Sequence, residues 1–364
     1  MGRIRANIKR RNHAKMIAIT CVAVLLLACI GIGIYIFTLW KNGDRLNRET
    51  MFVAPKVTKV TLPQEAEPEG NEAEPAPTAA DGKQTVRHNG KYYTYNENMI
   101  AILFMGIDVH SEDQFADVGV TAHQSDTLIL LALEPETQNL SFINIPRMTI
   151  ADVKQLDANF QYARTTQSPI CIQFAFGDGK ELSCELTRDA VSNLLYNIPI
   201  SNYICMNLDG LYSANDAIGG VTLTLLDDMT AFNPEMEKGK EYTLLGEDAE
   251  IYLSRRLGEG LDGTNMSRTA RHIQYYKAFF KKAKDQLKTD PLFALNLYNS
   301  MGSSVQTDLS VEEIIYLSKA VINMEIEDQN IHTLEGEVKN EDFLADDAAM
   351  KDLLIRVFYT EVTQ

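Results

Sequence analysis

Two aspartates and five arginines carry the chemistry this sequence can offer. Asp108 closes the apolar run Met99–Asp108, Asp126 lies at the start of Ser125–Pro135, and Arg147 closes Asn139–Arg147. Arg255, Arg256, Arg268 and Arg271 fall within seventeen residues of an otherwise acidic chain. Charges at the ends of apolar strands gather where an α/β sheet opens into a crevice. Two carboxylates there can hold a hard cation such as Mg²⁺, which needs one or two protein carboxylates when phosphate oxygens complete its shell. Guanidinium groups around the same space bind a pyrophosphate and stabilise the charge that grows as it is transferred. Singly, each residue has a plainer use: Asp108 as a turn or cap, the arginines as solvated charges, His272 as a packing group. Together they point to an anion site in an α/β domain.

The elements that must position these groups are legible as patterns. Met266–Lys282 has helical spacing, with Ala270, Ile273, Tyr276 and Phe280 on one arc, expected to face the core. Arg268, Arg271, His272 and Tyr275 share another arc near the helix start, where free N–H groups and the macrodipole favour an anion. The three apolar runs read as buried strands. Asn89-Gly90 between β-type runs predicts a hairpin. Helices are expected at ELTRDAVSNLL, at DGLYSANDAIGG closed by Gly219-Gly220, at Gly246–Arg256, after the capping box Ser310–Glu313, and at Asp346–Tyr359. VTLTL is expected to return to the main sheet, and Ile331–Val338 to form one strand. The sequence contains neither a P-loop nor a GxSxG motif.

Composition bounds the setting. The chain has 364 residues and a net charge of −16, and the first fifteen carry six basic residues and no acid, which leaves −22 for the remainder. So acidic a body is not drawn to nucleic acid, and an anionic ligand needs a local basic site. Met16–Trp40 is uncharged over twenty-five residues, long enough to cross ~30 Å of hydrocarbon. With the basic residues before it, it reads as a signal-anchor transmembrane helix with a cytoplasmic N-terminus (residues 1–15). Residues 41–85, rich in Pro, Glu and Ala, read as a disordered stalk. Residues 86–364 are then one exported domain of α/β class, a central mixed sheet flanked by helices. Of the exported cysteines, Cys171 and Cys184 flank a turn-forming stretch and are the favoured disulfide pair, with three buried free thiols as the alternative.

The stretches FMGID, QSDTLILLALEPETQNLSFINIPRMT, DAIGGVTLTL and GEDAEIYLSRR…NMSRTARHIQYY, in that order, resemble the LytR-CpsA-Psr family of cell-envelope proteins. The resemblance runs from about Ala101 to about Lys281. It implies transfer of a phosphoglycan from undecaprenyl pyrophosphate to a peptidoglycan hydroxyl, with Mg²⁺ on the pyrophosphate and the lipid in an apolar tunnel. By the same resemblance Asp108 is a metal-side aspartate and candidate base, Asp126 a metal ligand, and Arg147, Arg256, Arg268 and Arg271 the catalytic cations. The chain departs from the family at Gln124, Ser254 and His272, in place of Arg, Arg and Gln, and at Met148 in place of Asp. Arg255 and a protonated His272 are expected to make up charge on the substrate side, beside Gln124. The alternative is a protein of this type weakened in catalysis that binds or scaffolds the same lipid.

Overall fold

The computed structural model describes residues 51–53, 62–63, 85–110, 123–255, 258, 261, 263, 265–290 and 292–362. The expected tail, transmembrane run and most of the expected stalk lie outside the described residues, as does Arg256. Six strands form the central sheet: β1 (Ile100–Ile107), β2 (Ser125–Glu134), β3 (Asn139–Asn144), β4 (Asn202–Met206), β5 (Val305–Thr307) and β6 (Ile331–Thr333). Their order is β5-β4-β1-β2-β3-β6. The sheet is mixed: β1 with β4 and β3 with β6 run parallel, and the other neighbours run antiparallel.

Strand alternation divides the core between two faces. Ala101, Leu103, Met105 and Ile107 of β1 pack with helix α1 (Glu181–Leu194) on one side. Ile100 and Ile102 face the other way, against Met324 and the partly buried Phe280 and Leu317. Between them in the chain lie helices α2 (Leu208–Ala217), α3 (Glu247–Ser254), α4 (Asn265–Thr289), α5 (Phe293–Met301) and α6 (Val311–Ile322), and α7 (Asp347–Phe358) follows. Leu353, Leu354 and Phe358 of α7 join the first face, and Leu317 comes from α6, Phe280 from α4. Burying both faces explains why β1 and β2 read as continuous apolar runs.

Local signals are realised where the chemistry is local. Asn89 (φ 49°) and Gly90 (φ 76°) turn the hairpin that pairs Thr85–His88 with Lys91–Tyr95. Ser310 and Glu313 form the reciprocal capping box of α6. The Asp346 side chain caps α7, accepting from the Ala349 N–H at 2.9 Å.

Other expectations are corrected. Val221–Thr224 does not join the central sheet; it pairs antiparallel with Glu241–Leu244 in a separate ribbon. The stretch expected as one strand at 331–338 divides into β6 and a strand, Gly336–Lys339, of another hairpin. Cys171 and Cys184 are not bonded: they and Cys205 are free and buried, and the Cys184 thiol meets Cys205 instead. Within the expected stalk, Leu62 lies in the main core and the Phe52 ring is 5.5 Å from that of Tyr316, so these described points pack on the body.

Candidate active site

The site begins at the C-terminal end of β1. The register of β1 against β2 shifts between Gly106 and Ile107, and such a bulge bends a strand and re-aims the side chains after it. Space is tight there: a Cβ at Gly106 would stand 3.0 Å from the Thr127 Cβ, so a larger residue would press on that side chain. Asp108 emerges exposed just beyond, and Asp126 lies on the neighbouring start of β2.

Both aspartates line one cavity, open to solvent, with Thr127, Glu250, Ser254, Arg268, His272 and Tyr276 among its other walls. A second chamber, also partly open to solvent, has an almost wholly apolar lining, including Ile129, Leu131, Phe142, Phe279 and Phe280. Phe104, Met206, Leu211 and Tyr276 line both. A charged mouth and a greasy chamber therefore share a wall, built from β1, β4, α2 and α4.

Arg147 reaches the mouth through Asp126. Its Nη1 lies 2.5 Å from Asp126 Oδ1, and its Nη2 donates to Gln124 Oε1 at 2.5 Å. Gln124 thus serves as a neutral acceptor that helps hold the guanidinium. The Cys171 N–H donates to the Arg147 carbonyl at 3.1 Å, fixing the corner. Burial pushes the Cys171 thiol up, which keeps it protonated beside this pair.

Arg268 lies in the first turn of α4, is partly buried and lines the cavity. The expected core arc of α4 holds in part: Ile273, Tyr276 and Phe280 are partly buried, Tyr276 and Phe280 against core clusters. Ala270 is exposed, whereas Arg271 and Tyr275 are 1% and 2% exposed. Arg271 turns away from the cavity: Nη1 donates to the Tyr252 carbonyl and Nη2 to the Arg255 carbonyl, each at 2.6 Å, and Nε lies 3.2 Å from Asp227 Oδ2. Its charge closes α3 onto α4 and is not presented to a ligand. Arg255 is exposed, with its guanidinium 5.6 Å from the centre of the Phe232 ring, and it does not line the cavity.

His272 does line the cavity but does not act as a cation. Its Nε2 donates to the Leu253 carbonyl at 2.8 Å, and burial, with Arg268 and Arg271 nearby, lowers its pKa to about 4. It is neutral at neutral pH. Because the ordinary value is near 6.5, the unfolded chain binds the proton more tightly. The resulting stability is complete above about pH 6.5 and is lost as pH falls towards 4, up to ~3 kcal/mol. Urea unfolding between pH 7 and 4 should show this loss, and His272→Gln should flatten the slope. An unchanged slope in that variant would contradict the partly buried neutral ring.

Asp108 and Asp126, which line one cavity, are the carboxylates that could hold a Mg²⁺ ion whose other ligands are phosphate and water. No group of three or more His, Cys, Asp or Glu side chains among the described residues could cage a metal. Glu250 also lines the cavity, and no sequence motif marks it. In the first turn of α3 it reads as an ordinary helix-start acid, and only tertiary structure brings it to the cavity that Asp108 also lines.

Comparisons with known proteins agree with this architecture. The teichoic acid transferase TagU of Halalkalibacterium halodurans, named a polyisoprenyl-teichoic acid–peptidoglycan transferase, is 26% identical over 216 residues, 59% of this chain and 63% of that protein. The chain therefore matches somewhat under two thirds of that relative's length. TagU of Oceanobacillus iheyensis is 26% identical over 66% of this chain and 68% of its own. The crystal structure of TagV from B. subtilis superposes with a TM-score of 0.52 and 22% identity, covering 72% of this chain and 97% of that one, which is a likeness of fold. The LytR_cpsA_psr family profile matches residues 66–354, and the chain belongs to that family.

Proposed function

We propose that the chain transfers a phosphoglycan from a polyprenyl-pyrophosphate carrier to a hydroxyl of peptidoglycan. The observation that carries this reading is the charged mouth sharing a wall with an apolar chamber: a diphosphate fits the first and an isoprenoid tail the second. The names of the TagU relatives support the same class of donor and acceptor. In this proposal the domain lies outside a cell membrane, held by one N-terminal span, a reading supported by the family membership and the uncharged run at 16–40.

Asp108 and Asp126 are the residues that would hold a Mg²⁺ ion, which when bound would neutralise diphosphate charge. The chain's own groups do the rest. Arg268 and Arg147 hold the phosphoryl oxygens, and Arg256 is a third cation in this proposal. Helix α4 adds its N-terminal partial charge. The glycan-side phosphorus is then open to the wall hydroxyl, and prenyl phosphate leaves with its tail still in the chamber.

The second reading is a catalytically weakened lipid binder. It is favoured by Ser254, which lines the cavity where the family carries arginine, leaving Arg268 the one arginine among the cavity's described lining residues. Full-length chain in detergent micelles, given a synthetic prenyl-pyrophosphate disaccharide, Mg²⁺ and peptidoglycan, separates the two. Transfer expects prenyl phosphate release that requires the acceptor and falls in Arg268→Ala. Binding without release supports the second reading, and no binding overturns both.

A further inference from the structure

Glu250 is held in place more tightly than a surface acid needs to be. Its side chain is 12% exposed and lines the cavity with Leu253 and Ser254 of the same helix. Tyr212 of α2 donates its hydroxyl to Glu250 Oε2. His110 Nε2 lies 3.8 Å from the same oxygen, and His110 Nδ1 lies 2.8 Å from Asp209 Oδ1. The His110 Nδ1–H donates to Asp209 Oδ1, which holds the ring with Nε2 facing Glu250 across 3.8 Å. Burial and the Glu250 carboxylate push the Tyr212 phenol up, so it remains a donor.

The other acids of the mouth are differently placed. Asp126 is bound to Arg147 at 2.5 Å, and Asp108 is exposed at the strand end. Ser254, four residues after Glu250, leaves that helix position without the cation that would pair with it.

We propose that Glu250 is the proton acceptor for the attacking hydroxyl, positioned by Tyr212 and by the His110–Asp209 pair. The proposal rests on the transfer reading above. As the hydroxyl oxygen bonds to the glycan-side phosphorus, its O–H bond breaks and the proton passes to Glu250. The P–O bond to the second phosphate breaks, and its electron pair leaves with prenyl phosphate. Glu250 then returns the proton to solvent. His110 touches no reacting atom and is a positioning residue.

The test is the transfer assay on full-length chain, with lipid binding measured in parallel. Glu250→Gln keeps the shape and the Tyr212 bond, and is expected to lower kcat about 100-fold with lipid affinity and KM unchanged. Glu250→Asp should recover part of the rate. His110→Asn keeps the Asp209 contact but removes Nε2, and should give a smaller fall in kcat at constant KM. A folded Glu250→Gln protein with wild-type kcat, or one changed only in melting temperature, overturns the role of Glu250 alone. Wild-type chain that binds the lipid without transferring it overturns the transfer reading and this role together.

Discussion

Arg147→Ala is expected to abolish detectable prenyl-pyrophosphate binding and to lower transfer by about 100- to 1,000-fold, the range for one lost donor at a developing anion. The residue joins three parts of the site, two of them through its side chain. It holds Asp126 and Gln124 through separate nitrogens, both at 2.5 Å, and its backbone carbonyl receives the Cys171 N–H. Its removal leaves Asp126, 21% exposed, without that cation. The mouth then presents Asp108, Asp126 and Glu250 against Arg268 alone among its described lining residues. Arg147→Lys should recover only part of the loss, since an ammonium cannot span two acceptors as a planar fork does. Adding Asp126→Asn to Arg147→Ala separates repulsion from the loss of a donor. Little recovery is expected, because the donor matters most. Isothermal titration with the prenyl pyrophosphate and Mg²⁺ measures all four proteins. Wild-type affinity in Arg147→Ala would remove the anion site from this corner.

Much of what positions that corner is legible in the sequence because it is set locally. β1, β2 and β3 follow from apolar run length, and the Asn89-Gly90 hairpin and the Ser310 box follow from backbone preference. Asp108 and Asp126 sharing one cavity is visible as charges at adjoining strand ends. Other features depend on which surfaces meet. VTLT alternates well enough to pair with any partner, and only the packed ribbon selects Glu241–Leu244. Cys171 and Cys184 are close in sequence, yet β4 brings Cys205 to Cys184. The inward face of α4 is misread for a physical reason: amphipathic patterning assigns arginine to solvent, whereas α3 supplies two carbonyls that let Arg271 be buried. Glu250 gains meaning only through Tyr212, His110 and Asp209, which come from other elements.

Arg271→Ala should be the most destabilising change at this end of the molecule, about 3–5 kcal/mol, as is typical when one partner of a buried ion pair is removed. The guanidinium is 1% exposed and each of its ends is used. Tyr252 and Arg255 lie at the end of α3, where carbonyls have no partner within the helix. Arg271 donates to both and brings positive charge to the negative end of that helix. Asp227, 13% exposed, loses its 3.2 Å partner in the variant. The Tyr252 ring, 5.7 Å from the guanidinium carbon, loses its cation. Lysine could reach one carbonyl and not both, so Arg271→Lys should recover less than half of the loss. Urea unfolding should show a lower midpoint at constant slope. Arg268→Ala gives the contrast: partly buried at the cavity wall, it should change stability by under about 0.5 kcal/mol while weakening lipid binding. Activity in Arg271→Ala should fall too, because α3 carries Glu250, Leu253 and Ser254 into the cavity wall, but it should return on cooling to where the variant is fully folded. A variant as stable as the wild type that nonetheless binds no diphosphate would instead place Arg271 on the ligand, and the clamp between α3 and α4 would have to be credited to other groups.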